Sequence, residues 1–234
     1  MVSSNIFAPE KLRTMAAFGA ELKLVHSSGN GITPGLIPAM RDRARQLAAA
    51  GEDCYLADQF SNPDVVTGFE GLGRELAEQF PDGVDGFCAA VGGGGMAMGV
   101  SRVLKGKEKE KSWGSRPGTR VVVLEPASAP AITEGRGGPH GVEGIGIGFF
   151  PPLLDRDLYD EAWAIAEDEA REMCRRLARE EGILVGTSTG MNVVGALRLA
   201  KELGPNKTVV TVACDTGLKY MNGNLFSDEA FGSG

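Results

Sequence analysis

Val84 to Leu104 reads VDGFCAAVGGGGMAMGVSRVL, an apolar strand pattern that breaks into four consecutive glycines and resumes as a helix pattern. Few architectures accept that order. Glycines let backbone N–H groups approach an anion closely, and the following helix turns its positive dipole end and unpaired N–H groups to the same point. The segment therefore predicts a phosphate cradle at the end of a buried strand.

Strand and helix patterns alternate along the rest of the chain. Pro9–Phe18 predicts a helix with Leu12, Met15 and Ala16 on one face and Gly19 as its stop, and Glu21–His26 a strand. A second helix runs from Pro34–Pro38 through Ala50 with Met40, Ala44 and Leu47 as its stripe, followed by a short strand at Tyr55–Ala57. The turn Asp58–Pro63 precedes a helix over about Gly68–Gln79. Arg120–Leu124 is a β-branched strand, and the Gly/Pro-rich stretch to Pro152 a long loop of the kind that carries function. Trp163–Ala166 suits strand or helix. From Asp168 a helix runs to Gly182; then come a strand at Ile183–Val185, a turn, a helix at Asn192–Leu203 and a last strand at Thr208–Ala213. Lys105–Lys111 reads as a solvated helix end. Strands separated by helices imply an α/β fold with a mostly parallel sheet flanked by helices, whose ligands bind at the carboxyl ends of the strands.

Composition narrows the partners. A net charge of −7 with no aromatic-interleaved basic patch argues against nucleic acid, and no apolar run approaches the length of a membrane span. No secretory or transit pattern is read at the start, so a cytoplasmic protein is expected. Cys54, Cys88, Cys174 and Cys214 lack CxxC spacing and the histidines are His26 and His140, so no metal site is expected; Cys88 and Cys214 read as buried thiols. Glycine, at 34 of 234 residues, gathers after strands, where close approach to a ligand would need it.

Three strand-end turns compete for a chemical role. The first, Gly92–Gly95, fails as a P-loop because Val100 stands where the lysine belongs. Gly92, Gly94 and Ala97 do satisfy a dinucleotide fingerprint, with Glu125 placed for a ribose, so a nucleotide-binding oxidoreductase is one reading; tight strand-to-helix packing is the bland one. The second, Gly186-Thr187-Ser188-Thr189-Gly190, has the letters of a hydrolase elbow, but no histidine follows Ser188. Thr189 reads as a helix cap, while Ser188 could present a hydroxyl to a bound ring. The third, Cys214-Asp215-Thr216-Gly217, suits a turn and cap or a ligand role equally.

Longer stretches carry a resemblance. Leu12-Arg13, Phe18-Gly19-Ala20-Glu21-Leu22, Gln59-Phe60-Ser61-Asn62-Pro63, Glu125-Pro126-Ala127, Pro139-His140, Glu143 to Phe149 and Arg176 to Leu184 follow in register. In these residues the chain resembles the cysteine synthase (O-acetylserine sulfhydrylase) group of pyridoxal-phosphate enzymes, of tryptophan synthase β-like fold. The resemblance implies pyridoxal 5'-phosphate as cofactor, a small amino-acid substrate with a sulfide donor, and a homodimer. It places residues 1–55 in the remainder of a smaller α/β domain and residues 56–234 in the large cofactor domain. It assigns Gly92, Gly93, Gly94, Gly95 and Met96 to the cofactor phosphate, Ser188 to the pyridine nitrogen, Asp215 and Thr216 to the ring's side, Gln59 to the substrate carboxylate and Gly144 to the loop closing over the substrate. His140 falls on loop scaffold.

The departures matter too. Gly93 and Met96 stand where the family has threonines, so backbone N–H groups must carry the anion. The family's cofactor-bonding lysine and Ser-Gly-Asn loop lie upstream of the matching segment, and Ser28-Gly29-Asn30 imitates that loop in letters only. No lysine here falls on the catalytic position. The expectation is a chain that begins inside the smaller domain and is inactive alone, either as part of a complete enzyme or as a catalytically dead binding or interaction module.

Overall fold

Two apolar runs, Gly86–Ala90 and Arg120–Pro126, lie side by side at the centre of a four-stranded parallel sheet in a computed structural model of the chain, which describes residues 1–27, 29, 31–106 and 118–226. In chain order the elements are β1 (Val2–Ser4), α1 (Pro9–Ala17), β2 (Lys23–Val25), α2 (Leu36–Ala49), α3 (Asp64–Gln79), β3 (Gly86–Ala90), α4 (Gly95–Leu104), β4 (Arg120–Pro126), β5 (Glu161–Ile165), α5 (Glu167–Glu180), α6 (Thr187–Leu203) and β6 (Val209–Val210), followed by a short 3-10 turn at Gly217–Tyr220. The larger sheet has the order β5-β4-β3-β6, and β1 and β2 form a separate parallel pair.

Period-two alternation sorts the central strands onto two faces. Phe87, Ala89, Val121 and Val123 pack with Val66 and Leu76 of α3 and Met98 and Val100 of α4. Cys88, Ala90, Val122 and Leu124 pack with Ala170 of α5 and Met191 and Leu199 of α6. Val121 to Leu124 are 0% exposed, and each such side chain contributes about 1.5 to 3 kcal/mol of burial. A sheet covered on both faces explains why these strands are continuously apolar.

The structure corrects several expected boundaries. Tyr55–Ala57 forms no strand: Tyr55 is exposed, and Leu56 and Ala57 line a cavity. Ile183–Val185 contributes only an isolated bridge from Val185 to Thr216. α3 begins at Asp64, and α6 begins at Thr187, so the expected Gly/Ser/Thr turn is the helix's first turn. β6 spans only two residues of the expected Thr208–Ala213. The cause is Asn192, wedged between the strands: its Oδ1 accepts the Ala90 N–H at 2.7 Å and its Nδ2 donates to the Val212 carbonyl at 2.7 Å, replacing the ladder. Trp163 lies in a strand, paired with Leu124. Cys88 is buried, but Cys214 is exposed, because the chain has left the sheet there. Lys107 to Lys111, Ser28 and Asn30 lie outside the described residues.

Candidate cofactor and substrate site

The glycine turn forms where expected. Val91 still belongs to the sheet, its N–H donating to the Leu124 carbonyl at 2.9 Å. Gly94 then takes φ +91°, a left-handed conformation that costs a side-chain-bearing residue about 1 kcal/mol or more, and α4 starts at the next residue. Gly94 accepts the first helical bond, from Met98 N–H at 2.9 Å, which leaves the N–H groups of Gly95, Met96 and Ala97 without intrahelical acceptors. Gly92 has no room for a side chain, since a Cβ there would run into the Gly144 carbonyl oxygen. That oxygen belongs to the Gly144–Gly148 loop, which is anchored by the Gly146 N–H donating to Val91 at 3.0 Å. The turn is thus built of backbone N–H groups, has no acidic side chain from Ala90 to Met98, and fits a phosphate.

A cavity of about 680 Å³ opens beside it, within the range of small-molecule sites, and Gln59, Gly93 and Gly144 share its wall with Lys11, Arg41 and Glu143. Three of the expected residues therefore meet in one space. Phe60 lies against Gly93, where a Cβ would come within 3.3 Å of its ring and of the Gln59 carbonyl.

Ser188, Asp215 and Thr216 do not line that cavity. Ser188 is buried in the first turn of α6. Thr189 does not cap the helix: its Oγ1 accepts the Cys214 N–H at 2.9 Å, while the cap position is Gly186. Thr216 caps the short 3-10 turn, accepting the Leu218 N–H at 3.3 Å. Asp215 is tied to the cavity wall through Lys11. The Lys11 ammonium lies 2.9 Å from Glu143 Oε2 and 3.5 Å from Asp215 Oδ2, and donates to Tyr220 Oη at 2.7 Å. Tyr220 in turn donates to Asp215 Oδ2 at 2.9 Å, and burial together with the Asp215 charge pushes its phenol well above the ordinary range. Asp215 Oδ1 is buried without a partner.

Two tempting residues have other work. His140 is buried, and its Nε2 lies 2.8 Å from the Gly146 carbonyl, which assigns the proton to Nε2; burial pulls its pKa below the ordinary value. It braces the Gly144–Gly148 loop. Glu125 is 1% exposed and accepts the Ile132 N–H at 2.7 Å, the Thr133 N–H at 2.9 Å and the Thr133 hydroxyl at 2.6 Å, so it pins the long loop and is not open to a ribose. The residues that periodicity and motif reading missed are Lys11, Arg41, Glu143 and Tyr220. Glu143 lies inside a matched stretch and Lys11 adjoins one, whereas Arg41 and Tyr220 carried no sequence signal. Burial pushes the Cys88 thiol up to about 12 and the Cys174 thiol up to about 11, so neither is a thiolate at neutral pH. Among the described residues no cluster of His, Cys, Asp and Glu could hold a metal ion, and no helix is long and apolar enough to cross a membrane.

Comparison with known proteins adds a consistent set of likenesses. The family described as pyridoxal-phosphate dependent enzyme matches residues 1–215. A cysteine synthase of Staphylococcus aureus is 38% identical over 222 residues, covering 93% of this chain and 66% of the relative. A probable cysteine synthase of Bacillus subtilis is 33% identical over 241 residues, covering 97% of this chain and 70% of the relative. Among solved structures, the cysteine synthase of Entamoeba histolytica superposes with a TM-score of 0.82 at 27% identity, covering 99% of this chain and 65% of that one. An O-acetylserine dependent cystathionine β-synthase from Helicobacter pylori gives 0.86 at 30% identity, with 96% and 69% covered. The chain thus spans about two thirds of the length of the proteins it matches.

Proposed function

Since the chain belongs to the pyridoxal-phosphate dependent enzyme family, among its cysteine-synthase-like members, we propose that its site serves β-replacement on an O-activated serine. In that reaction the bond from the substrate Cβ to the ester oxygen breaks, acetate leaves, and sulfide sulfur bonds to the same carbon to give cysteine. The observation that carries the reading is the anion-ready turn at Gly92–Met96, whose Gly93 lies on the wall of the cavity that holds Gln59 and Gly144.

Pyridoxal 5'-phosphate, when bound, supplies an electron sink for the substrate α-carbon. The N–H groups at the start of α4 would hold its phosphate, with no help from hydroxyls at Gly93 and Met96. Ser188 would meet the ring nitrogen with a neutral hydroxyl, leaving that nitrogen largely unprotonated and favouring elimination over transamination. Gln59 would take the substrate carboxylate, and the Gly144 loop would exclude water over it. Asp215 and Thr216 would flank the ring, Asp215 steadied by Tyr220 and Lys11. Residues 1–55 are taken as the smaller α/β unit and 56–234 as the cofactor unit, in a cytoplasmic homodimer.

A second reading, binding without turnover, has its own support. Among the described lysines Lys11 alone lines the cavity, and its ammonium is held by Glu143, Asp215 and Tyr220. Its ammonium is thus engaged by the protein's own groups rather than left open to a cofactor. Purified chain titrated with pyridoxal phosphate, then assayed for cysteine from O-acetylserine and sulfide, separates the two. Cofactor uptake with turnover supports the enzyme, uptake without turnover supports the binding reading, and no uptake overturns both.

A further inference from the structure

The cavity wall carries a guanidinium whose hydrogen-bonding capacity the protein leaves largely unused. Arg41, on α2, donates through Nη2 to Ser61 Oγ at 2.7 Å and to Asp58 Oδ1 at 3.4 Å. Its guanidinium carbon lies 5.5 Å from the Phe60 ring centroid and 5.9 Å from that of Phe149, so its plane is held by aromatic faces. Nε is buried with no acceptor, and among the described residues Nη1 makes no hydrogen bond. A buried donor without a partner carries a desolvation cost that an incoming acceptor would remove.

Neighbouring acids do not meet that need. Asp58 shares the Nη2 already used, and Glu143 is paired with Lys11 at 2.9 Å. The unused donors belong to a side chain that lines the same cavity as Gln59, Gly93 and Gly144. A guanidinium fork matches a phosphoryl group, which offers several charged acceptor oxygens, whereas an acetyl ester offers one neutral carbonyl.

We propose that Arg41 makes this cavity selective for a serine derivative carrying an oxyanion beyond its α-carboxylate, a phosphate ester in preference to the acetyl ester. The proposal rests on the reading of the site as one for an O-activated serine, and replaces only the identity of the activating group. Phe60 and Phe149 set the guanidinium plane, and Ser61 and Asp58 fix its depth.

The test is calorimetric titration of the chain, alone and with pyridoxal phosphate, using O-phospho-L-serine and O-acetyl-L-serine. The expected result is a preference for the phosphate ester of about tenfold or more, competition by inorganic phosphate, loss of the preference in Arg41→Met and partial retention in Arg41→Lys. Equal binding of the two esters, no measurable binding of either, or a parallel fall for both in Arg41→Met would overturn it; the last result would make Arg41 only a brace for the Asp58–Ser61 loop. Cofactor uptake is read separately from its visible absorption. Its absence would defeat the proposed function, while the ester preference of the chain alone would still decide the role of Arg41.

Discussion

At Gly92 one added methyl group meets the backbone of the Gly144–Gly148 loop. A Cβ there collides with the Gly144 carbonyl, and either the glycine turn or the Gly144–Gly148 loop must yield. Gly92→Ala should cost about 1 to 3 kcal/mol and lower pyridoxal-phosphate affinity about tenfold or more. Thermal melting and a cofactor titration measure the two effects, and unchanged values in both would mean the loop does not rest on the cradle. His140 yields a pH prediction. Burial lowers its pKa below 6.5 in the fold, so near and below that pH the unfolded chain binds more protons than the folded one. Its contribution to stability is complete above about pH 6.5 and is lost as pH falls. Wild type should therefore lose stability more steeply than His140→Gln from about pH 7 to about pH 5; parallel pH curves from urea unfolding would contradict this.

Among the elements, the Asn192 side-chain amide of α6 bridges the end of β3 to the chain beyond β6. Asn192→Ala removes the acceptor for the Ala90 N–H and the donor for the Val212 carbonyl together. A loss of about 2 to 3 kcal/mol is expected as a lower urea midpoint, with faster hydrogen exchange at Ala90; a shift below about 0.5 kcal/mol would show that water replaces the amide. This residue also marks how far the fold was legible. β3, β4 and the glycine turn were readable because buried parallel strands are continuously apolar and the turn requires glycine. The first turn of α6 was not, since Gly186 to Gly190 combines residues of low helix propensity with no side-chain cap, and the helix is stabilised there by packing against α5. The strand expected at Tyr55–Ala57 reflected local pattern without a partner to pair with. In the site, Gln59, Gly93 and Gly144 were found through resemblance, while Lys11, Glu143 and Asp215 are joined only by folding: 132 residues separate the first two, and no local spacing signals the pairing.

For the molecule as a whole, Gly93 of the turn between β3 and α4, Gln59 and the Gly144–Gly148 loop meet on one cavity, while Ser188 and Asp215 stand outside its lining and Asp215 is tied to its wall through Lys11. In the proposed reading, that arrangement holds a phosphorylated cofactor more readily than it moves protons on it. The most direct measurement is an equilibrium titration of the purified chain with pyridoxal phosphate and, in parallel, with pyridoxal. The account predicts saturable binding of one pyridoxal phosphate per chain, weakened in Gly92→Ala, and at least about tenfold weaker binding of pyridoxal, because the backbone N–H groups at Gly92–Met96 have lost their anion. Equal affinity for the two compounds, or no saturable binding of pyridoxal phosphate, would contradict it.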